Sequence, residues 1–311
     1  SALTNRIASA CASNFTYMNE GIGLGFTLEA RNAAGGVTRN YTGAYAKLDP
    51  AVIGQLGLGA LGLGPAATDL TARIDASLGS SGSFTNGTAV VAATVPITRP
   101  SPSTVDGPYT NVRIGIAPAD SDTVALRAAD LNLDVDSAGG NDRVQIGGAT
   151  NLRFGRLRLD NAVGSQNLDL PIAMRAEYWA GTAFVTNADD NCTSLAAGNF
   201  AFGNYQGGIN AGNVNAANLS GLGGVFSAGV GNFTLLKPSG AVAAPGSVDI
   251  CADLGADATP PPACVAGTPA ARSYLQGRSA GANYDDDPQA RAAFGLYGSQ
   301  PNNFIYFREN F

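Results

Sequence analysis

The residues that could do chemistry in this chain are carboxylates, amides, arginines and thiols. Histidine is missing: none occurs in 311 residues. That removes Ser-His-Asp and Cys-His nucleophilic sites, imidazole general bases and most zinc sites. The chain is therefore expected not to be an enzyme. One carboxylate row stands out. In Asp130-Leu131-Asn132-Leu133-Asp134-Val135-Asp136 the polar side chains recur every second residue. On a strand such residues share a face, so Asp130, Asn132, Asp134 and Asp136 would line up opposite an apolar row. Aligned oxygens of this kind could hold Ca²⁺. The EF-hand pattern fails, because Val135 stands where its glycine belongs and Asn141 where its closing glutamate belongs. A solvated strand face accounts for the same alternation. Asp285-Asp286-Asp287 is a second carboxylate group, and a loop explains it as well. No cofactor other than Ca²⁺ is indicated.

Other motifs point to structure more than to chemistry. Gly57, Gly59 and Gly62 spell a GxGxxG string. Dinucleotide binding needs that string between a strand and a helix, whereas here it lies in a Leu/Gly repeat. Arg153, Arg156 and Arg158 form a basic cluster. It could meet an acidic sugar, but bridging to acids on adjacent strands is the stronger expectation. Trp179, next to Tyr178, is the single tryptophan. A place in the core suits it better than a sugar platform.

The four cysteines are Cys11, Cys192, Cys251 and Cys264, with no CxxC pair. A zinc site is therefore poorly supported. Four cysteines allow three pairings. Cys251 and Cys264 bracket the rigid Pro260-Pro261-Pro262 loop, which favours a Cys251–Cys264 bond and leaves Cys11–Cys192 as the other. Such bonds persist in an oxidising compartment, so the chain is expected outside the cell.

The elements that must position these residues are strands. Leu24, Phe26, Leu28 and Ala30 alternate with polar or small residues, the period of a half-buried strand. With Val37–Lys47 this predicts a hairpin. Residues 53–65 read as a low-complexity loop. Further strands are predicted over 70–78, 82–98, 109–117, 122–136, 151–160, 168–178, 184–186, 246–253, 291–297 and 303–309. Residues 195–232, rich in Gly, Asn and Ala, read as an irregular insertion. No window predicts a sustained amphipathic helix. The expectation is an all-β protein of two immunoglobulin-like β-sandwich domains, 1–150 and 151–311, with the 195–232 insertion in the second.

Composition agrees with an exported β-protein. Only 14% of residues are charged, Gly occurs 41 times, and the net charge is −6. Nucleic acid is disfavoured, because phosphate binding needs clustered cations. An anionic membrane surface is disfavoured likewise, and no apolar run is long enough for a spanning helix. The opening Ser1-Ala2-Leu3, without Met, reads as a mature or excised segment.

Several stretches resemble a large conserved domain of MshQ-like proteins, which are associated with biogenesis of the mannose-sensitive haemagglutinin (MSHA) type IV pilus. They are Cys11–Met18, Phe26–Ala33, Asn40–Gly43, Ile114–Pro118 and Asp120–Asp122 in the first half. In the second half they are Arg153–Leu159, Leu170–Pro171, Arg175–Trp179, Asp189–Thr193, Phe294–Tyr297 and Ile305–Glu309. The resemblance implies a non-enzymatic surface or pilus-associated protein, an adhesion or pilus-biogenesis module. Its partners would be other surface or pilus proteins, with a glycan as a further candidate. Two alternatives stand beside it. One is a filament subunit that adds its Phe304-Ile305-Tyr306-Phe307 strand to a neighbouring copy. The other, more remote, is a secreted carbohydrate-active enzyme.

Overall fold

A computed structural model describes residues 1–4, 14–122, 124, 143–239, 245–256, 268–278 and 281–295. Among them the chain is all-β, with only short 3-10 turns between strands. Four sheets are arranged as two pairs.

The first pair uses the strands up to Arg153. One sheet runs β1 (Ala2–Thr4), β3 (Gly21–Glu29), β7 (Thr88–Pro96) and β6 (Ser80–Ser81). The other runs β2 (Phe15–Tyr17), β10 (Thr150–Arg153), β8 (Tyr109–Ile116), β4 (Gly59–Gly64) and β5 (Thr68–Asp69), with β9 (Val144–Gln145) also on β8. Period-two alternation builds this sandwich. Leu24, Phe26 and Leu28 of β3 are buried, as are Ala89, Val91, Ala93 and Val95 of β7. They meet Val112, Ile114, Ile116 and Leu152 of the facing sheet in one core.

The second pair begins at Gly155. One sheet runs β11 (Gly155–Leu159), β13 (Leu170–Trp179), β17 (Val230–Leu235) and β16 (Leu219–Ser220), with β14 (Phe184–Thr186) on β13. The other runs β12 (Ala162–Gly164), β19 (Gln289–Phe294), β18 (Gly246–Ala252) and β15 (Phe200–Gly207). Leu157, Ile172, Met174 and Phe233 face Phe200, Val248, Ile250 and Phe294 across a second core.

Several sequence expectations are corrected. The partner of β3 is β7, paired over nine residues from Gly21↔Pro96 to Glu29↔Thr88, not the Val37–Lys47 segment. That segment makes one isolated bridge, Arg31↔Val37, and a 3-10 turn at Gly43–Tyr45. Two well-patterned strands far apart in sequence outcompeted a local hairpin. Residues 53–65 are not a loop: they hold a 3-10 turn, Ile53–Leu56, and then β4, an interior strand between β8 and β5. Its glycines serve close approach. A Cβ on Gly59 would fall 2.3 Å from Arg143 Nε, and one on Gly64 would fall 2.2 Å from Thr110 Oγ1. The predicted strand over 70–78 is a 3-10 turn at Thr71–Arg73 and irregular chain. Residues 195–232 are no simple insertion. They supply β15, β16 and the start of β17, anchored by buried Phe200, Ile209, Val214 and Phe226.

Residues 151–160 are two strands rather than one. Leu152 and Phe154 are buried in the first core, Leu157 and Leu159 in the second. The alternation therefore shifts phase between Phe154 and Gly155. The shift falls where the chain leaves the sheet of β10 and enters that of β11, so each half of the segment buries its own parity in its own core.

Candidate functional site

Two places gather polar and aromatic side chains: the junction between the sandwiches and a cleft in the first one.

At the junction the halves exchange aromatics. Phe15 and Tyr17, from the first half, belong to the second core. Trp179, Phe184 and Tyr284, from the second half, pack against the first. Phe154 meets Tyr284 edge-on at 5.2 Å and Phe184 at 6.3 Å. Tyr17 stacks on Tyr274 at 5.9 Å. Gly155 is required here, because a Cβ would lie 2.4 Å from the Tyr17 ring.

Arg99 holds this interface. One terminal nitrogen donates to the carbonyls of Gly155 (2.8 Å), Tyr274 (2.8 Å) and Gln276 (3.1 Å). The other donates to the carbonyl of Tyr284. The guanidinium lies 4.2 Å from the Phe154 ring centre, a cation–π contact. Its Nε is shut off from solvent without an acceptor. Burial pushes the Arg99 pKa down to about 10, against the pull of Asp285 and Tyr284. It stays charged at neutral pH. Nothing in Thr98-Arg99-Pro100 signals this role; only the packed halves bring four carbonyls around one side chain.

The predicted basic cluster is bound into the same region. Arg153 meets Asp189 at 2.6 Å, donates to Asn187, and lies over the rings of Phe15 (4.8 Å) and Tyr178 (4.5 Å). Arg156 bridges to Glu177 at 2.7 Å and sits 3.9 Å from the Phe184 ring centre. Arg158 bridges to Asp160 at 3.1 Å. Only Glu177 is an acid on an adjacent strand, paired with Arg156 across β11 and β13; Asp189 and Asp160 lie in the chain just beyond strand ends. Tyr178 and Trp179 are half-buried. Beneath the cluster, Asp190 is fully buried. It accepts from Tyr17 Oη at 2.9 Å, Thr193 Oγ1 at 2.6 Å and the Thr193 amide at 2.9 Å. Multiple donors are what a buried carboxylate requires.

Other predicted residues fall as follows. Asp130, Asn132, Asp134 and Asp136 lie outside the described residues, as do Phe304, Ile305, Tyr306 and Phe307. Among the described residues no three acidic or thiol groups converge as metal ligands. Asp287 accepts from the Leu254 amide and Gln276 Nε2, and Asp286 from the Gly281 amide. Gly57 takes a left-handed conformation beside the Ala117 carbonyl, and Gly59 and Gly62 lie in β4. Among the described residues β4 is followed by β5 and the three-residue 3-10 turn Thr71–Arg73, not by an α-helix that could receive a pyrophosphate. Cys192 and Cys251 are disulfide-bonded. The expected partners, Cys11 and Cys264, lie outside the described residues.

The cleft is the other place. It encloses about 1170 Å³ between the end of β3, the 38–48 segment and the β8–β9 pair. Phe26, Leu28, Phe84 and Ile146 line its depth, while Glu29, Arg31, Lys47, Asp120 and Asp122 are charged groups at its lining. Tyr45 lines it too and is 77% exposed. Sequence reading missed this site, since its walls come from six separated stretches of chain.

Fold and site together define a tandem β-sandwich protein. Residues 1–146 match the third domain of DUF6701, and residues 153–310 match its fourth domain. The chain belongs to the DUF6701 family. No curated protein matches it.

Proposed function

We propose that this chain is a non-enzymatic segment of an extracellular, surface-displayed or pilus-associated protein, acting in adhesion or pilus biogenesis. The observation that carries this reading is the junction. Two sandwiches share aromatic side chains, and Arg99 reaches four carbonyls of the second half. Interfaces within a chain ordinarily permit domain motion unless they are extensive and apolar. A locked pair suits a rigid spacer that carries load between a surface and its partner. The resemblance to MshQ-like proteins supports the pilus setting. The disulfide state of Cys192 and Cys251 supports an oxidising compartment, with Cys11–Cys192 and Cys251–Cys264 as the proposed pairing.

Immunogold labelling of intact cells and a surface-attachment assay of a deletion strain test this. Label on the cell exterior and reduced attachment are expected. Label confined to the cytoplasm would overturn it.

The filament alternative requires an open edge. The long edge strand β15 is a poor template, because its pairing with β18 shifts register between Gly203 and Gln206 and Asn204 has φ of 50°. Bulged edges resist strand addition. Sedimentation at high concentration separates the readings: a monomer fits the spacer, and polymers would favour the filament.

A further inference from the structure

We propose that the cleft of the first sandwich is a saccharide-binding site, with the Tyr45 ring as stacking platform. This rests on the adhesion reading and gives it a ligand class and a place.

Tyr45 is the starting observation. It ends the 3-10 turn Gly43–Tyr45, which buries none of its residues. The chain around it is nevertheless held firmly. The Tyr45 amide donates to the Thr42 carbonyl at 3.1 Å, and Thr42 Oγ1 donates to the Phe84 carbonyl at 3.2 Å. Tyr41 Oη accepts the amides of Lys47 (3.0 Å) and Leu48 (2.8 Å), and the Tyr41 ring meets Phe84 edge-on at 4.9 Å. A pinned backbone thus presents an aromatic ring to solvent at the edge of a large cavity. Tyrosine gives a broad contact face with little conformational entropy to lose on binding.

The lining charge narrows the ligand. Glu29, Asp120 and Asp122 are offset by Arg31 and Lys47. Neither sign dominates, so no strongly charged ligand is selected. The Arg31 Nε–H donates to Glu29 Oε2 at 2.9 Å, which holds a donor and an acceptor side by side. Asp120 Oδ1 takes the amides of Asp122 and Val124, which fixes that carboxylate. Oriented planar polar groups beside an exposed ring match a neutral ligand with hydroxyls on its edge and C–H bonds on its face. That is a sugar. Typical small-ligand pockets enclose roughly 300–1,000 Å³; the cleft exceeds this and has room for more than one ring.

The test is a microarray of neutral and acidic oligosaccharides probed with the whole chain. The best glycan is then titrated by calorimetry against the unaltered protein, Tyr45→Ala, Tyr45→Phe and Asp120→Ala. The expected result is a neutral glycan that binds Tyr45→Ala and Asp120→Ala at least tenfold more weakly, with Tyr45→Phe close to the unaltered protein. The melting temperature of Tyr45→Ala should not move, because its side chain is exposed. If Tyr45→Ala binds as the unaltered protein does, the ligand sits elsewhere; the cleft assignment falls and the adhesion reading stands. Binding of acidic glycans alone, or of none, also overturns the cleft assignment. The attachment assay then judges the adhesion reading independently.

Discussion

At the junction Phe15, Tyr17 and Phe154 are fully buried, while at the cleft Tyr45 is 77% exposed. Both regions contain aromatics, arginines and acids, yet the arrangements differ. The junction places each arginine over a ring or against a carboxylate and surrounds the Arg99 head with carbonyls. The cleft pairs Arg31 with Glu29 at its lining and leaves space between. The same residue types lock two domains in one place and present a surface in the other. What differs is how far the chain itself covers these groups.

The largest expected effect comes from breaking the junction. Arg99→Ala leaves four carbonyls without their shared donor. Leaving a buried acceptor unsatisfied typically costs about 1–3 kcal/mol. Calorimetry should show a lowered melting temperature and two transitions in place of one. A single unshifted transition would show that Arg99 does not couple the halves.

Reduction comes next. Cys192 lies beside the Asp190 network and Cys251 within β18. Losing a disulfide that closes a short loop typically costs about 2–4 kcal/mol. A thermal scan in reductant should show a clear loss in the second sandwich. An unchanged melting temperature would remove the proposed pairings.

A smaller effect separates two glycines. Gly155→Ala drives a methyl into the Tyr17 ring, and overpacking of this kind costs about 1–3 kcal/mol. Gly25→Ala, in β3 with nothing within 4 Å of the new carbon, should be neutral or slightly stabilising. Urea denaturation of both variants checks the contrast. Equal effects would mean that Gly155 is not a contact point.

The smallest effect lies away from both regions. Arg291 and Asp249 face each other across β19 and β18, with bonds of 2.7 and 2.9 Å. The Asp249 pKa is lowered, first by hydrogen bonding from Arg291, against the effect of burial. The sign follows from linkage. A lowered carboxyl contributes stability above its unfolded value of about 3.9, and that contribution is lost as pH falls through the folded value. Arg291 is 45% exposed, so Arg291→Ala should cost only a few tenths of a kcal/mol, roughly, at neutral pH. That difference should vanish in strong acid. A difference that persists at pH 2 would assign it to packing instead.

Much of the first sandwich was legible. The alternation of β3 and the β-branched run of β7 marked both strands, because one face of each meets the core and the other meets water. The Leu/Gly repeat of β4 was misread, since glycine gives no hydrophobic period even where a neighbouring side chain requires it. β15 and β17 were hidden for the same reason, among Gly, Asn and Ala. At the candidate sites, only the Arg156–Glu177 bridge matches a cross-strand expectation, whereas the turn partner of Arg153, Arg99 and Tyr45 gave no signal.

The amino-acid sequence by itself determined the all-β class and excluded imidazole chemistry, because period and composition are local properties. Tertiary structure decided which strands pair, where one arginine finds four carbonyls, and which tyrosine stays in solvent. Those outcomes depend on groups far apart in the chain. Gly155 accepts from Arg99, and Tyr284 does so from a third segment; no local pattern encodes such a meeting.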